Sequence, residues 1–414
     1  MKARSRTRLG TAGLGLYLAL GLAGCATPVR GGVSIESATP ASLGINVARL
    51  NAERDAMLAD IKAGVVPGAV MVVGRNGKVA WTETLGAQRP DDPTPMGMNT
   101  IFRIQSMTKP IVSVAVMTLV EEGKIGLDDP VSKYLPEFAK TMVREEDGTI
   151  RPAKSQMTIR HLLTHTSGLI AVVGPPRTPL HQIWADSGTW APDQTVLEAS
   201  RRTGALPVLN DPGALWNYGR SPDVLGGVME AVTGKTFDVV LKERIFIPLG
   251  MKDTDFYLTP EQAKDRVALP SSGRGADPTQ RRPMMYGSNG LYSTTDDYLR
   301  FTMMVAGGGK LDGVEILKPE TFKLMVTDQL GPEVSRKSFF YRDGGGFGLG
   351  FGLKPEDVGG PHQTEVYTWG GSDGTNFWVD PKSGLFIVFM IQNAREGGRL
   401  QARFNKAVFE SLTR

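Results

Sequence analysis

The chain has 414 residues, 41% apolar and 22% charged, a composition that excludes a disordered or fibrous protein and suits one large or two ordinary domains. Its formal net charge of +4 is concentrated at the N-terminus, where Lys2, Arg4, Arg6 and Arg8 cluster. Without residues 1–24 the chain carries 43 basic and 43 acidic side chains, so no basic stripe argues for nucleic acid.

The basic cluster is followed by an apolar run from Leu14 to Leu22, too short to span a bilayer but suited to a signal segment. It ends in Leu22-Ala23-Gly24-Cys25, which resembles the lipobox of bacterial lipoproteins. That resemblance implies cleavage before Cys25, lipidation of its thiol and a membrane anchor facing the periplasm. Ala26, where an Asp would retain the protein at the inner membrane, favours the outer membrane. Cys25 is the only cysteine, so no disulfide can form. Residues 25–45, rich in Thr, Pro, Ser, Gly and Ala, read as a flexible tether.

Val47, Leu50, Met57, Leu58 and Ile61 then fall on one helical face. Ala69–Val73 and Val79–Thr84 are strand-like, and the intervening Asn76-Gly77 is a strong hairpin signal. A helix is expected from Ser106 to about Glu122, apolar on most sides, with Gly123 as its stop. Residues 136–282 change texture. Helical patterns (159–166, 224–232, 237–246) alternate with Pro/Gly-rich loops such as 171–195, which reads as an all-α insertion. Strand patterns return at 347–353, 365–368, 375–379 and 385–391. A final helix carries Leu400, Phe404, Val408 and Leu412. The expected fold is α+β: an antiparallel sheet domain from 46–135 and 283–414, flanked by the terminal helices, plus a helical domain at 136–282.

The chemistry centres on Ser106-Met107-Thr108-Lys109. A serine hydroxyl is a poor nucleophile until a base takes its proton. Residues i and i+3 share a helix face, so the Lys109 amine can reach the Ser106 oxygen. At a helix N-terminus the serine N–H is free to meet an oxyanion. Taken alone, the S-x-x-K pattern is common. Three further runs accompany it: Arg160-His161-Leu162-Leu163-Thr164-His165-Thr166-Ser167-Gly168-Leu169, then Trp216-Asn217-Tyr218, then Trp369-Gly370-Gly371-Ser372.

In this order these runs resemble the serine β-lactamase and penicillin-binding-protein superfamily, in its class C-like branch and closest to the family VIII carboxylesterases. The resemblance covers about residues 46–412. It implies Ser106 as acylated nucleophile, Lys109 as base or relay, and Tyr218 as partner in proton transfer. Trp369, Gly370 and Gly371 take the place of the family's Lys-Thr-Gly strand. The N–H of Ser372 would join that of Ser106 in holding the oxyanion. Two departures matter. Trp369 removes the strand's cation, which favours neutral acyl substrates. Arg220 replaces the Asn of the tyrosine element and is a candidate substrate-binding cation.

Gly370-Gly371-Ser372-Asp373-Gly374 also matches the nucleophile elbow G-x-S-x-G, but an elbow needs a helix after it, and Thr375–Val379 reads as a strand. His161 and His165 have metal-pair spacing without a third ligand, so no metal is expected, and no nucleotide fingerprint or other cofactor motif is present. The resulting expectation is an envelope serine hydrolase, a carboxylesterase acting on small-molecule esters of short or medium acyl chain. A β-lactamase or D,D-peptidase-like amidase stays open as an alternative, as does a non-catalytic envelope binding protein.

Overall fold

The Asn76-Gly77 turn closes a hairpin of Gly68–Arg75 (β1) and Lys78–Arg89 (β2), both turn residues having positive φ, 53° and 74°. This is a computed structural model that describes residues 34–270, 277–341, 344–357 and 363–413. Cys25 and the signal segment lie outside the described residues. Asp92–Pro95 (β3), Gly346–Phe347 (β4), Gly352–Asp357 (β5), Gln363–Gly370 (β6), Asn376–Val379 (β7) and Leu385–Met390 (β8) complete an eight-stranded antiparallel sheet. Its order is β4-β5-β6-β7-β8-β1-β2-β3, so the chain's late strands join its first hairpin through the β8–β1 pair, Val70 opposite Met390.

Strand alternation gives the sheet two apolar faces. Ala69, Met71, Val73, Ile387 and Phe389 face the helices Val47–Lys62 (α1) and Gly397–Glu410. Val70, Val72, Phe377 and Val388 join a larger core with the helices Thr108–Glu121 (α2), Ser221–Thr233 (α3) and Thr295–Ala306 (α4). The C-terminal helix Gly397–Glu410 is α5. It holds α1 through an ion network: Arg403 Nε donates to both oxygens of buried Glu53 at 2.8 and 2.9 Å, and its Nη1 donates to Asp60 at 2.6 Å. Burial lifts the Glu53 carboxyl above its usual range even beside Arg403.

Several expectations need correcting. The stretch read as a tether is packed on the domain from Ser34 onward: Ala38 N–H donates to the Val79 carbonyl, Ile35 touches the core and Ile45 is buried. Its small residues concealed two apolar anchors. The helical region is not all α, because Met142–Arg144 pairs with Ile150–Pro152. It contributes Leu162, Trp184, Leu225 and Phe237 to the same core as the sheet. Residues 171–195 are not all loop, since Pro179–Asp186 is a helix capped by Thr178. The expected strand 347–353 is two strands, β4 and β5, divided by a turn in which Gly350 has φ 91°. Leu412 lies past the end of α5 and bridges Ile45.

Candidate active site

Ser106 lies on a 3₁₀ turn, Gln105–Met107, that leads into α2. The sequence placed it on the α-helix itself. Gln105 adopts φ 49°, a left-handed conformation unusual for a side-chain-bearing residue, and such strain gathers at functional sites. Its amide shows what holds it there: Nε2 donates to Asp373 Oδ2 at 2.7 Å, tying the serine turn to the β6–β7 loop.

Lys109 is buried on the first turn of α2. Its Nζ lies 3.1 Å from Ser106 Oγ and donates to the Ser288 carbonyl at 2.6 Å. Ser288 is fixed in turn by its N–H, which donates to Asp223 of α3 at 3.1 Å. Tyr218 arrives from a loop in the helical region, and its hydroxyl lies 2.8 Å from Ser106 Oγ. Lys109 Nζ also sits 4.4 Å from the Tyr218 ring centre. The structure therefore brings together three side chains that span 112 residues of the chain.

The Tyr218 loop is positioned by its backbone. Asn217 N–H donates to the His165 carbonyl at 2.8 Å and Asn217 Nδ2 to the Leu169 carbonyl at 3.0 Å. Gly219 passes so close to Leu169 that a Cβ would stand 2.0 Å from its carbonyl oxygen. The His165–Leu169 run is thus the seat of the tyrosine loop. The helix Ile159–Leu163 ends earlier than its periodicity suggests because His165 has φ 56°. The His165 ring packs 4.9 Å from that of Tyr218, and burial, followed by nearby Lys109, holds its pKa well below the usual value. His161 instead closes a capping box with Thr158. Among the described residues no cluster of His, Cys, Asp or Glu could hold a metal ion.

The last run ends β6. Trp369, expected at the substrate, has a ring that is 4% exposed and packs against Tyr218, Phe340 and Phe347 at 5.6, 6.1 and 5.4 Å. It is a platform for Tyr218, with little surface left to offer a substrate. Gly370 ends the strand and pairs with Asn376. Gly371 has no room for a side chain: a Cβ there would stand 2.2 Å from Thr375 Oγ1 and 2.5 Å from the Ile104 carbonyl. The β6–β7 loop therefore abuts the segment that carries Ser106. Among the described residues neither Ser106 N–H nor Ser372 N–H has an acceptor, so both are free to bind an oxyanion. Ser372 is followed by β7, a strand, so it sits in no nucleophile elbow. Arg220, at the N-cap of α3, lays its guanidinium carbon 3.8 Å over the Trp190 ring.

Sequence reasoning missed Gln105, Ser288 and Phe340. Phe340 is 55% exposed, yet its ring lies 5.3 Å from Tyr218. Lone residues in loops carry no periodic signal, and only the fold brings them to the site.

The family model for beta-lactamase matches residues 52–408. The chain belongs to the beta-lactamase family. Among its relatives, Protein Rv1367c of Mycobacterium tuberculosis is 34% identical, over 80% of this chain and 87% of that one. Esterase EstB of Burkholderia gladioli is 30% identical, over 90% of this chain and 98% of that one. Among solved structures, EstCE1, described as a hydrolase with promiscuous acyltransferase activity, superposes with a TM-score of 0.72 at 28% identity. That match covers 87% of this chain and 98% of the other. These relatives identify an esterase-type serine hydrolase of the family.

Proposed function

We propose that the protein hydrolyses carboxylic esters of short or medium acyl chain through an acyl-enzyme on Ser106. The observation that carries this reading is the position of Ser106 Oγ, 2.8 Å from the Tyr218 hydroxyl and 3.1 Å from Lys109 Nζ. Ser106 Oγ bonds to the ester carbonyl carbon while its proton passes to the Tyr218–Lys109 pair. The N–H groups of Ser106 and Ser372 hold the oxyanion. The carbonyl–alkoxy bond then breaks, and the alcohol leaves with that proton. Water attacks the acyl carbon, gives its proton to the same pair, and releases the carboxylic acid and Ser106.

Ser106→Ala should remove turnover of p-nitrophenyl butyrate, and intact mass should show an added acyl group only on the wild-type protein. Full activity in that variant would overturn the reading. The lack of a cation at Trp369 ranks an ester above a β-lactam, and a preference for a chromogenic cephalosporin over p-nitrophenyl butyrate would reverse the ranking. The likeness to EstCE1 supports a second outcome for the same intermediate, in which an alcohol replaces water and a new ester forms. Adding 1-butanol and measuring butyl butyrate tests it.

For location, the Leu22-Ala23-Gly24-Cys25 motif supports an outer-membrane lipoprotein facing the periplasm. Radiolabelled palmitate should enter the wild-type protein and not Cys25→Ser, and labelling of both would sink the anchor assignment.

A further inference from the structure

A cavity is lined by residues from the chain segments that carry, or directly contact, the three members of the site. Arg103, three residues before Ser106, forms one wall. Asn289 and Gly290, which follow the Ser288 carbonyl that receives Lys109, form another. Arg220, two residues after Tyr218, forms a third. A substrate whose carbonyl meets Ser106 therefore has this cavity within reach of its remaining atoms.

The charges lining the cavity are unequal. Arg103, Arg220 and Arg282 are cationic, and Asp277 is the one carboxylate among the described lining residues. Asp277 is already engaged by the N–H and hydroxyl of Thr279 at 2.9 and 2.7 Å. Arg282 bonds the Gln280 side chain at 2.6 Å. Arg103 makes neither a hydrogen bond nor an ion pair through its side chain among the described residues. Arg220 is stranger. Its side chain is 15% exposed, and its Nη1 stands 3.7 Å from Asp223 Oδ2, with both atoms buried and neither hydrogen-bonded. Arg220 and Asp223 are thus ion-paired, and the remaining nitrogens of Arg220, among the five N–H donors of a guanidinium, make no hydrogen bond among the described residues. Stacking on Trp190 holds the plane of Arg220 but satisfies none of those donors.

We propose that this cavity binds a carboxylate carried by the ester substrate, with Arg103 and Arg220 as its ligands. The planar fork of an arginine matches the two oxygens of a carboxylate, and Arg103 together with the nitrogens of Arg220 other than Nη1 has donors to offer it. The proposal rests on the esterase reading and deepens it: the ester bond itself is neutral, and the far end of the molecule is anionic. Dicarboxylic acid half-esters and esters of hydroxy acids both have this chemistry, one with the carboxylate on the acyl half and the other with it on the alcohol half.

The test compares matched pairs. The acyl-half pair is p-nitrophenyl hydrogen glutarate and its methyl ester; the alcohol-half pair is 3-acetoxybenzoate and its methyl ester. Within each protein the readout is the ratio of kcat/KM for the acid to that for the methyl ester, which corrects for any general loss in a variant. In the wild type one ratio should exceed one, and Arg103→Gln and Arg220→Gln should each lower it by about tenfold or more. The pair that responds names the half that carries the carboxylate. Ratios unaltered by both variants overturn the proposal and leave the esterase reading standing. If the wild type turns over none of the four esters, the esterase reading fails first. Calorimetric binding of glutarate then decides the cavity: binding weakened by Arg220→Gln supports it, and no binding overturns it.

Discussion

Gly371→Ala isolates the role of the β6–β7 loop. The new Cβ would stand 2.5 Å from the Ile104 carbonyl and 2.2 Å from Thr375 Oγ1, where ordinary contact begins at 3.4 Å. The threonine hydroxyl can turn aside. The Ile104 oxygen belongs to the backbone that leads into Ser106, so the two segments must part by about 1 Å in a close-packed interior. That separation falls between the N–H of Ser106 and the N–H of Ser372. Losing one oxyanion donor costs about 100- to 1000-fold in kcat, and a 1 Å misplacement about 100-fold. Gly370→Ala is the internal comparison, because its Cβ would meet Thr375 O at 3.4 Å and Asn376 Nδ2 at 3.5 Å, both tolerable. In a p-nitrophenyl butyrate assay Gly371→Ala should lose about 100-fold in kcat/KM and Gly370→Ala no more than about fivefold. Equal activity in the two folded variants would refute the argument that close approach at 371 sets the oxyanion geometry.

Arg403→Met should cost about 3 kcal/mol in urea denaturation, because it leaves the carboxylate of Glu53, 4% exposed, without its guanidinium between α1 and α5. Asp297, buried at the start of α4, has its pKa pushed up to about 6 by burial. The folded state then holds the proton more tightly than the unfolded chain, so stability should fall by roughly 2–3 kcal/mol as pH rises from about 4 to about 6. Asp297→Asn should flatten that slope, as thermal melts across the window would show. Trp369→Lys should lower stability by at least about 3 kcal/mol and reduce ester turnover without creating cephalosporin hydrolysis, since the side chain it replaces is buried. A folded, cephalosporin-hydrolysing variant would contradict the platform role of Trp369.

Features with local causes were legible in the sequence. Asn76-Gly77 announced the first hairpin, and Leu400, Phe404 and Val408 announced the buried stripe of α5. The meeting of Ser106, Lys109 and Tyr218 was legible because S-x-x-K and three further runs, each uninformative alone, occur together. Features set by distant partners were not. Glu53 lies on the buried side of α1 because Arg403 meets it from 350 residues away. His165 ends its helix early because its carbonyl is needed by Asn217. Residues 179–186 form a helix in a stretch whose prolines and glycines mark its flanks as loop, and Pro179 itself sits at a first-turn position where it costs nothing.

Trp369 joins these threads. Read from the sequence, a tryptophan in place of a lysine removes a charge from the substrate site and favours a neutral acyl group. In the structure its ring lies among Tyr218, Phe340 and Phe347, so the exchange also supplies a wall against the Tyr218 ring. Cationic character is found elsewhere, in Arg103 and Arg220 on the walls of the neighbouring cavity. Moving the cation has a chemical consequence. A charge at the end of β6 would sit beside the oxyanion loop, whereas these arginines lie on chain segments that precede Ser106 and follow Tyr218. The same reaction at Ser106 would then be directed to a different substrate shape, with its anion displaced from the strand to the arginines of that cavity.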